Sequence, residues 1–217
     1  MAIELITGAL GSGKTTFMVA KRLTEEQGRP FEYEDANGTM RPAKRRLVVA
    51  GIDKLLVEHE RLPHTLTGDV VRKKDIEFWN QEDENGEPLF KRLPEDPPVE
   101  FVLDAKGCRR DVEASLFNWW LWVLPGDLIV CDEIQYIVPR GTMGRQPPHY
   151  IKMMEFSRHY GADFLFGTQH PQLLDMTIRN LVNPHRHVRS VMGSSLCTIY
   201  VWDHASNPER ITLSTKT

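Results

Sequence analysis

Cysteine is scarce in this chain: Cys108, Cys131 and Cys197 are spread through 217 residues with no C-x-x-C pair. An odd number at wide spacing excludes a disulfide framework, and reduced thiols in a cytosolic setting are expected. Long apolar runs are missing too. None reaches the roughly 18 residues that a membrane-crossing helix needs, so these residues are not expected to span a bilayer. Charge of one sign is missing: 27 Lys and Arg face 30 Asp and Glu, a net charge of −3. That argues against a protein that coats nucleic acid with a polybasic surface, while leaving room for a local basic groove. No internal repeat is visible. The first residues run straight into an apolar strand, so no secretory leader is expected.

What is present begins at Gly8, where the chain reads Gly8-Ala9-Leu10-Gly11-Ser12-Gly13-Lys14-Thr15, followed by Thr16. It lies between the apolar run Ile3-Glu4-Leu5-Ile6 and a helix-like stretch. This is the pattern of a P-loop. Its glycines let successive backbone N–H groups turn inward around phosphate oxygens. Lys14 is expected to pair with the β- and γ-phosphates of ATP and Thr15 to ligate Mg²⁺. The next helix aims its positive end at the anion.

The rest of the chain alternates strands and helices. A first helix is expected over residues 14–27, with Phe17, Met18, Ala20 and Leu23 available to a core and Gly28-Arg29-Pro30 ending it. Residues 31–46 are polar, with a hairpin turn at Asn37-Gly38. Leu47 to Ile52 reads as a buried strand and Asp53 to His59 as a short helix. Residues 70–98 read as a solvated insertion with a hairpin, and Val99 to Leu103 as a short strand. A helix from about Asp111 carries Trp119, Trp120 and Trp122 to the stop at Pro125-Gly126-Asp127. Its aromatic end either packs under a sheet or offers an exposed face to a neighbour or a membrane. Further on, Tyr150 to Tyr160 and Asp175 to Val182 read as helices, Leu128 to Cys131 and Phe164 to Gly167 as buried strands. Val188 to Met192 and Thr198 to Trp202 read as a closing antiparallel pair. The expected fold is a single α/β domain over 1–217: a mostly parallel sheet sandwiched by helices, of the RecA-like P-loop NTPase class with an added strand and catalytic glutamate (ASCE), ending in an antiparallel hairpin.

A P-loop needs a carboxylate partner, and Asp127-Leu-Ile-Val-Cys-Asp132-Glu133 supplies one. A buried strand of this kind delivers its terminal acid to the carboxyl edge of the sheet, beside the loop. Asp132 is expected to hold Mg²⁺ through its waters, and Glu133 to polarise the attacking water. The doublet favours hydrolysis over transfer to a small molecule, because a kinase needs no water-activating base there. The strand ending Gly167-Thr168-Gln169 brings an amide to the same edge. Gln169 is expected to touch both a γ-phosphate oxygen and the water, and His170 to structure its loop. An arginine from a neighbouring subunit often completes such sites. Arg158 is the first candidate and Arg140 the second, with Arg145 and Arg179 behind them. His185, His187, His204 and Cys197 match no tetrahedral zinc spacing, and the histidines read as a solvated pair at a strand edge.

With these elements in hand, the chain resembles the zonular occludens toxin family. These are the filamentous-phage gene I type assembly and export ATPases, related to the FtsK/HerA translocases. The likeness rests on Ile3-x-Leu-Ile-Thr-Gly8 leading into Gly11-Ser-Gly-Lys14-Thr15. It continues in Pro125-Gly-Asp-Leu-Ile-Val-Cys-Asp132-Glu133-Ile-Gln135, then Ser157-Arg158-His159-Tyr160-Gly161-Ala-Asp163 and the strand to Thr168-Gln169. It runs from residue 1 to about residue 204 and is weakest over residues 60–110. Family members carry a transmembrane segment and a periplasmic tail after such a domain. The resemblance therefore implies an isolated cytoplasmic domain at the host inner membrane, tethered through a segment outside this chain. It implies a homo-oligomeric ring that uses ATP to assemble and extrude a single-stranded DNA phage, working on that DNA or its protein complex with other export proteins. Two alternatives stay open. One is a helicase, since Asp132-Glu-Ile-Gln135 superficially matches a DExQ box, although no second motor domain is visible. The other is a nucleotide-gated assembly protein with little turnover.

Overall fold

The computed structural model describes residues 3–34, 38–52, 54–62, 116, 119–141, 149–191 and 196–210. Its centre is built from short apolar runs rich in Ile, Val, Leu and Phe: β1 (Ile3–Thr7), β4 (Arg46–Ala50), β6 (Asp127–Cys131) and β7 (Asp163–Thr168). With β5 (Glu60–Arg61), β8 (Val182–Ser190) and β9 (Cys197–Trp202) they form a seven-stranded sheet ordered β5-β4-β6-β7-β1-β8-β9. Every pairing is parallel except β8 with β9. A separate hairpin pairs β2 (Pro30–Glu34) with β3 (Met40–Lys44), where Gly38 takes φ 75°.

The period of two along each strand sorts the core into two layers. Ile6, Leu47, Val49, Leu128, Val130 and Leu165 pack on one face with Met18 and Leu23. Ile3, Leu5, Val48, Ile129, Phe164 and Phe166 pack on the other, with Trp119, Trp120, Ile151, Met154 and Ile178. The first face is covered by α1, a continuous helix over Lys14–Phe17, Met18–Leu23 and Thr24–Glu26. The second is covered by α2 (Trp119–Trp122), α3 (His149–Lys152 continuing tightly wound through Met153–Tyr160) and α4 (Met176–Leu181). Trp119 and Trp120 are buried, with Trp119 edge-on to Phe164 at 5.1 Å, so these two rings belong to the core. Strands covered on both faces explain why the runs read as continuous rather than alternating.

Several expectations need correction. Ala20 is exposed. The middle of α1 is wound as a π-helix, and its wider turn brings Met18 and Leu23, five residues apart, onto one face. Residues 54–59 are not helical: Lys54 sits at φ 56°, and Leu55 and Val57 are half-buried while Leu56 is exposed, the alternation of extended chain. α4 stops at Leu181, and β8 begins at Val182, six residues before the expected Val188. Pro184 lies inside this strand. It falls where the β1–β8 register shifts, between Ile3↔Val182 and Leu5↔His185, and a bulge tolerates a residue without an N–H. The closing hairpin is therefore part of the main sheet. The insertion over residues 70–98, the strand at 99–103, the start of the tryptophan helix, Cys108 and Arg145 lie outside the described residues.

Candidate functional site

The strand order sets the site. β1 delivers the glycine loop to the carboxyl edge, β6 delivers Asp132 and Glu133, and β7 lies between them. A switch in strand order of this kind opens a crevice at the carboxyl ends of the strands. The loop turns on Gly11 at φ 75° and Gly13 at φ 85°, with Ser12 N–H donating to Ala9 O at 3.0 Å. Gly8 is needed for a different reason: a Cβ there would meet Ser12 Oγ at 2.3 Å and Val188 O at 2.7 Å. The loop is thus pressed against β8. Leu10 stands out at its tip, and a hollow of about 310 Å³ lies between residues 8–16 and Glu133.

Lys14 and Thr15, in the first turn of α1, meet the acids directly beside this hollow. Lys14 Nζ donates to Asp132 Oδ1 at 2.5 Å and to Glu133 Oε1 at 2.9 Å. Thr15 Oγ1 donates to Asp132 Oδ2 at 2.5 Å. Asp132 Oδ1 also accepts from the Glu133 backbone N–H at 2.8 Å. Lys14 and Asp132 are buried, while Glu133 keeps about 23% of its side chain open toward the hollow. Glu133 adopts φ 51° and ψ 43°, a left-handed backbone that is uncommon for a residue other than glycine.

Gly167, in β7, makes room for this cluster. A Cβ there would lie 2.3 Å from Asp132 Oδ1 and 2.8 Å from Met18 Sδ. Gln135 Nε2 donates to Glu133 Oε2 at 2.5 Å, and Thr168 Oγ1 donates to Gln135 Oε1 at 2.7 Å. Gln169 follows Thr168 and is exposed at the same edge. His170 Nδ1 accepts from Gln172 N–H at 3.2 Å and caps the turn that follows β7. Gly167, Thr168 and Gln135 were all visible as letters. Their roles were not, because they depend on β7 lying between β1 and β6.

The arginines are placed differently. Arg158 is exposed in the last turn of α3, before β7 begins, and so at the amino edge of the sheet. β7 is six residues long, so within one chain Arg158 is about 20 Å from the loop edge. Arg140 is exposed in the segment after Glu133, and its N–H donates to Leu173 O at 2.8 Å, tying the loops after β6 and β7 together at the carboxyl edge. Arg179 is in the last turn of α4.

The histidines are not a solvated pair. His185 is fully buried: it stacks on Trp202 at 5.1 Å, accepts from Ser206 N–H at Nδ1 and lies 2.7 Å from Thr7 Oγ1. His187 Nδ1 lies 2.8 Å from the same Thr7 oxygen. β9 and the segment after it cover a strand that the sequence placed at the sheet's rim. Burial pushes the His185 pKa down to about 3 and lowers that of His187. No group of three or more metal-binding side chains occurs among the described residues. Burial pushes the Cys131 thiol well above its usual range, as suits an inert core cysteine.

The donor set suits a magnesium-bound triphosphate. Two left-handed glycines turn the loop, the buried Ser12 Oγ has no partner in the described structure, and an ammonium stands beside a hydroxyl–carboxylate pair. Fold and loop together define a P-loop NTPase domain. A model of the zonular occludens toxin (Zot) family matches residues 85–214, more than half of the chain. The chain belongs to the zonular occludens toxin family. ORF301 of Pseudomonas phage Pf3, described by its name as an assembly protein, is 33% identical over 88 residues; the match spans 39% of this chain and 29% of that protein. The crystal structure of the N-terminal domain of zonular occludens toxin from Neisseria meningitidis superposes with a TM-score of 0.56 at 22% identity. That superposition covers 94% of this chain and 85% of that one. The genome packaging NTPase B204 of Sulfolobus turreted icosahedral virus 2 superposes with a TM-score of 0.46 at 9% identity, over 88% and 76% of the two chains. Among the described residues no helix is long and apolar enough to cross a membrane.

Proposed function

We propose that this chain is the ATP-hydrolysing motor domain of a phage assembly protein, acting in assembly and export at the host inner membrane. The observation that carries the reading is the bonded chain Glu133–Lys14–Asp132–Thr15, in which a loop lysine and hydroxyl meet both acids at one sheet edge. In the proposed cycle the backbone N–H groups of residues 8–15 and Lys14 hold the triphosphate. Thr15 and Asp132 hold Mg²⁺, which offsets charge on the β- and γ-phosphates. Glu133 takes a proton from the attacking water, and Gln169, at the same edge, orients that water against the γ-phosphate. The assembly role is supported by the family and by the name of the Pf3 relative.

The arginine that completes the site comes from a neighbouring copy in a ring. Arg158, on the far edge of the sheet, reaches a phosphate only across such an interface, and Arg140 is the second candidate. The DNA, the other export proteins and the membrane tether belong to the same proposal. The test is Mg²⁺-dependent ATP hydrolysis measured against protein concentration. Turnover per chain is expected to rise with concentration and to vanish in Lys14→Ala and Glu133→Gln, with Glu133→Gln still binding nucleotide. Undiminished turnover in Glu133→Gln refutes the role of Glu133. A rate per chain independent of concentration refutes the shared site.

A further inference from the structure

Glu133 is held at both carboxylate oxygens. Lys14 Nζ donates to Oε1 at 2.9 Å, and Gln135 Nε2 donates to Oε2 at 2.5 Å. The Gln135 amide is oriented in turn, because Thr168 Oγ1 donates to its oxygen at 2.7 Å across 33 residues of sequence. An amide whose oxygen accepts from a hydroxyl presents its nitrogen on the other side, here to Glu133. Thr168 is fully buried at the end of β7, so the far end of this relay is anchored in the sheet. The near end needs an anchor, since Glu133 has a left-handed backbone at the start of a single turn over Ile134–Tyr136.

We infer that Gln135 is a positioning residue: it ties Glu133 Oε2 to the end of β7 and leaves Oε1 as the atom that receives the proton of the attacking water. The inference rests on the hydrolysis reading given above. The two partners of Glu133 differ in their other duties. Lys14 is the phosphate ligand of the proposed cycle, and turning to the triphosphate opens its bond to Oε1. Gln135 has no such second duty, and Thr168 keeps its amide in place. The carboxylate then stays fixed through Oε2 while Oε1 faces the hollow that Glu133 helps to line. In the step that follows, a water O–H bond breaks and its proton goes to Oε1. The water oxygen bonds to the γ-phosphorus, and the bond from that phosphorus to the bridging oxygen breaks. ADP departs with that electron pair, and Oε1 later returns its proton to solvent.

The experiment compares the unmodified chain with Gln135→Leu, Thr168→Val, Thr168→Ser and Glu133→Ala. The readouts are kcat and KM for ATP with Mg²⁺, affinity for a non-hydrolysable ATP analogue, and the ¹⁵N side-chain amide signal of Gln135, identified by its loss in Gln135→Leu. Gln135→Leu is expected to lower kcat about 10–100-fold, the range found when a hydrogen-bond partner that orients a metal-site ligand is removed. KM and analogue affinity are expected to stay within about twofold, since the groups that grip phosphate are untouched. Thr168→Val moves kcat the same way, and Thr168→Ser, which keeps the hydroxyl, recovers most of that loss. The Gln135 amide signal shifts in both Glu133→Ala and Thr168→Val, with and without the analogue. A kcat for Gln135→Leu within about twofold of the unmodified chain overturns the inference, as does an amide signal indifferent to Glu133→Ala. If Gln135→Leu fails to fold, equal turnover in Thr168→Val and Thr168→Ser overturns it. If the unmodified chain hydrolyses no ATP at any protein concentration, the hydrolysis reading has failed, and the amide signal still decides whether Gln135 holds Glu133.

Discussion

Thr15 and Asp132 are 117 residues apart, and the Thr15 hydroxyl donates to Asp132 Oδ2 at 2.5 Å. Neither residue has an intrinsic reason to seek the other. One sits in the first turn of α1 and the other at the end of β6, and the order β6-β7-β1 closes the gap between them. Under the proposed function this pair grips the metal. Thr15→Val and Asp132→Asn are each expected to weaken analogue binding in Mg²⁺ about 10-fold or more while changing binding in EDTA little. Titration calorimetry with and without Mg²⁺ checks this, and equal losses under both conditions count against a metal role.

Gly167 shows how tightly β7 is fitted between its neighbours. Its missing Cβ is what admits Asp132 Oδ1 and Met18 Sδ. Gly167→Ala is expected to destabilise the fold by about 1–3 kcal/mol, the range for overpacking a filled core. Nucleotide binding should fall with it, because Asp132 must move. Urea unfolding together with analogue binding reads both, and an unchanged midpoint contradicts the packing described here.

Much of this was legible in the sequence, and the legible parts share a cause. The glycine loop, the run into Asp132-Glu133 and the buried strands are local patterns, each written within a dozen residues. The start of β8 was missed: Pro184 lies inside the strand, where its register with β1 shifts, and no alternating pattern marks residues 182–187. Ala20 was misjudged because the π-turn of α1 departs from the 3.6-residue period. Glu4 gave no signal of its own, yet it is buried in β1 between Arg22 of α1 and Arg186 of β8. Gln135 and Thr168 were in plain view as letters. Their bond is a property of strand order, which no local pattern encodes.

The backbone at Glu133 separates stability from function. A left-handed conformation costs an L-residue about 1–2 kcal/mol and glycine almost nothing. Glu133→Gly and Glu133→Ala remove the same carboxylate, so the difference between them isolates the backbone. The glycine variant is expected to be more stable than the alanine variant by about 1 kcal/mol in thermal or urea unfolding, with both inactive. Equal stabilities would show that this backbone is unstrained.

Buried His185 gives the fold a dependence on pH. Its folded pKa is pushed down to about 3, mainly by burial and further by His187, His170 and His204 nearby. The unfolded imidazole titrates near its ordinary 6.5. Between those values the unfolded chain binds the extra proton, so stability is complete above pH 6.5 and is lost as pH falls below it. His187 is lowered in the same sense. Each pH unit inside the window costs about 1.4 kcal/mol for His185 alone. Urea midpoints are expected to drop between pH 7.5 and pH 5.5 and to drop less in His185→Phe, which retains a ring against Trp202. A midpoint that rises on acidification contradicts this assignment.

Arg45 joins the hairpin to the sheet through buried carboxylates. It pairs with Asp163 at the start of β7 and with Glu26 at the end of α1 at 3.2 Å, and its guanidinium lies 3.9 Å from the Phe31 ring centroid. Removing one member of such a network leaves uncompensated charge in the interior. Arg45→Met is expected to cost about 3–5 kcal/mol, far more than loss of an exposed pair. Lys21→Met, which breaks the exposed pair with Glu25, is expected to stay within about 0.5 kcal/mol. Parallel unfolding curves for the two variants test the contrast.

The central claim is tested most directly by a crystal structure of this chain with Mg²⁺ and a non-hydrolysable ATP analogue. The account predicts the metal on Thr15 Oγ1 and on Asp132 through water, Lys14 Nζ turned from the acids to the phosphates, and Glu133 Oε1 facing the γ-phosphate. A nucleotide seated away from residues 8–15, or a metal that ignores both Thr15 and Asp132, would contradict it.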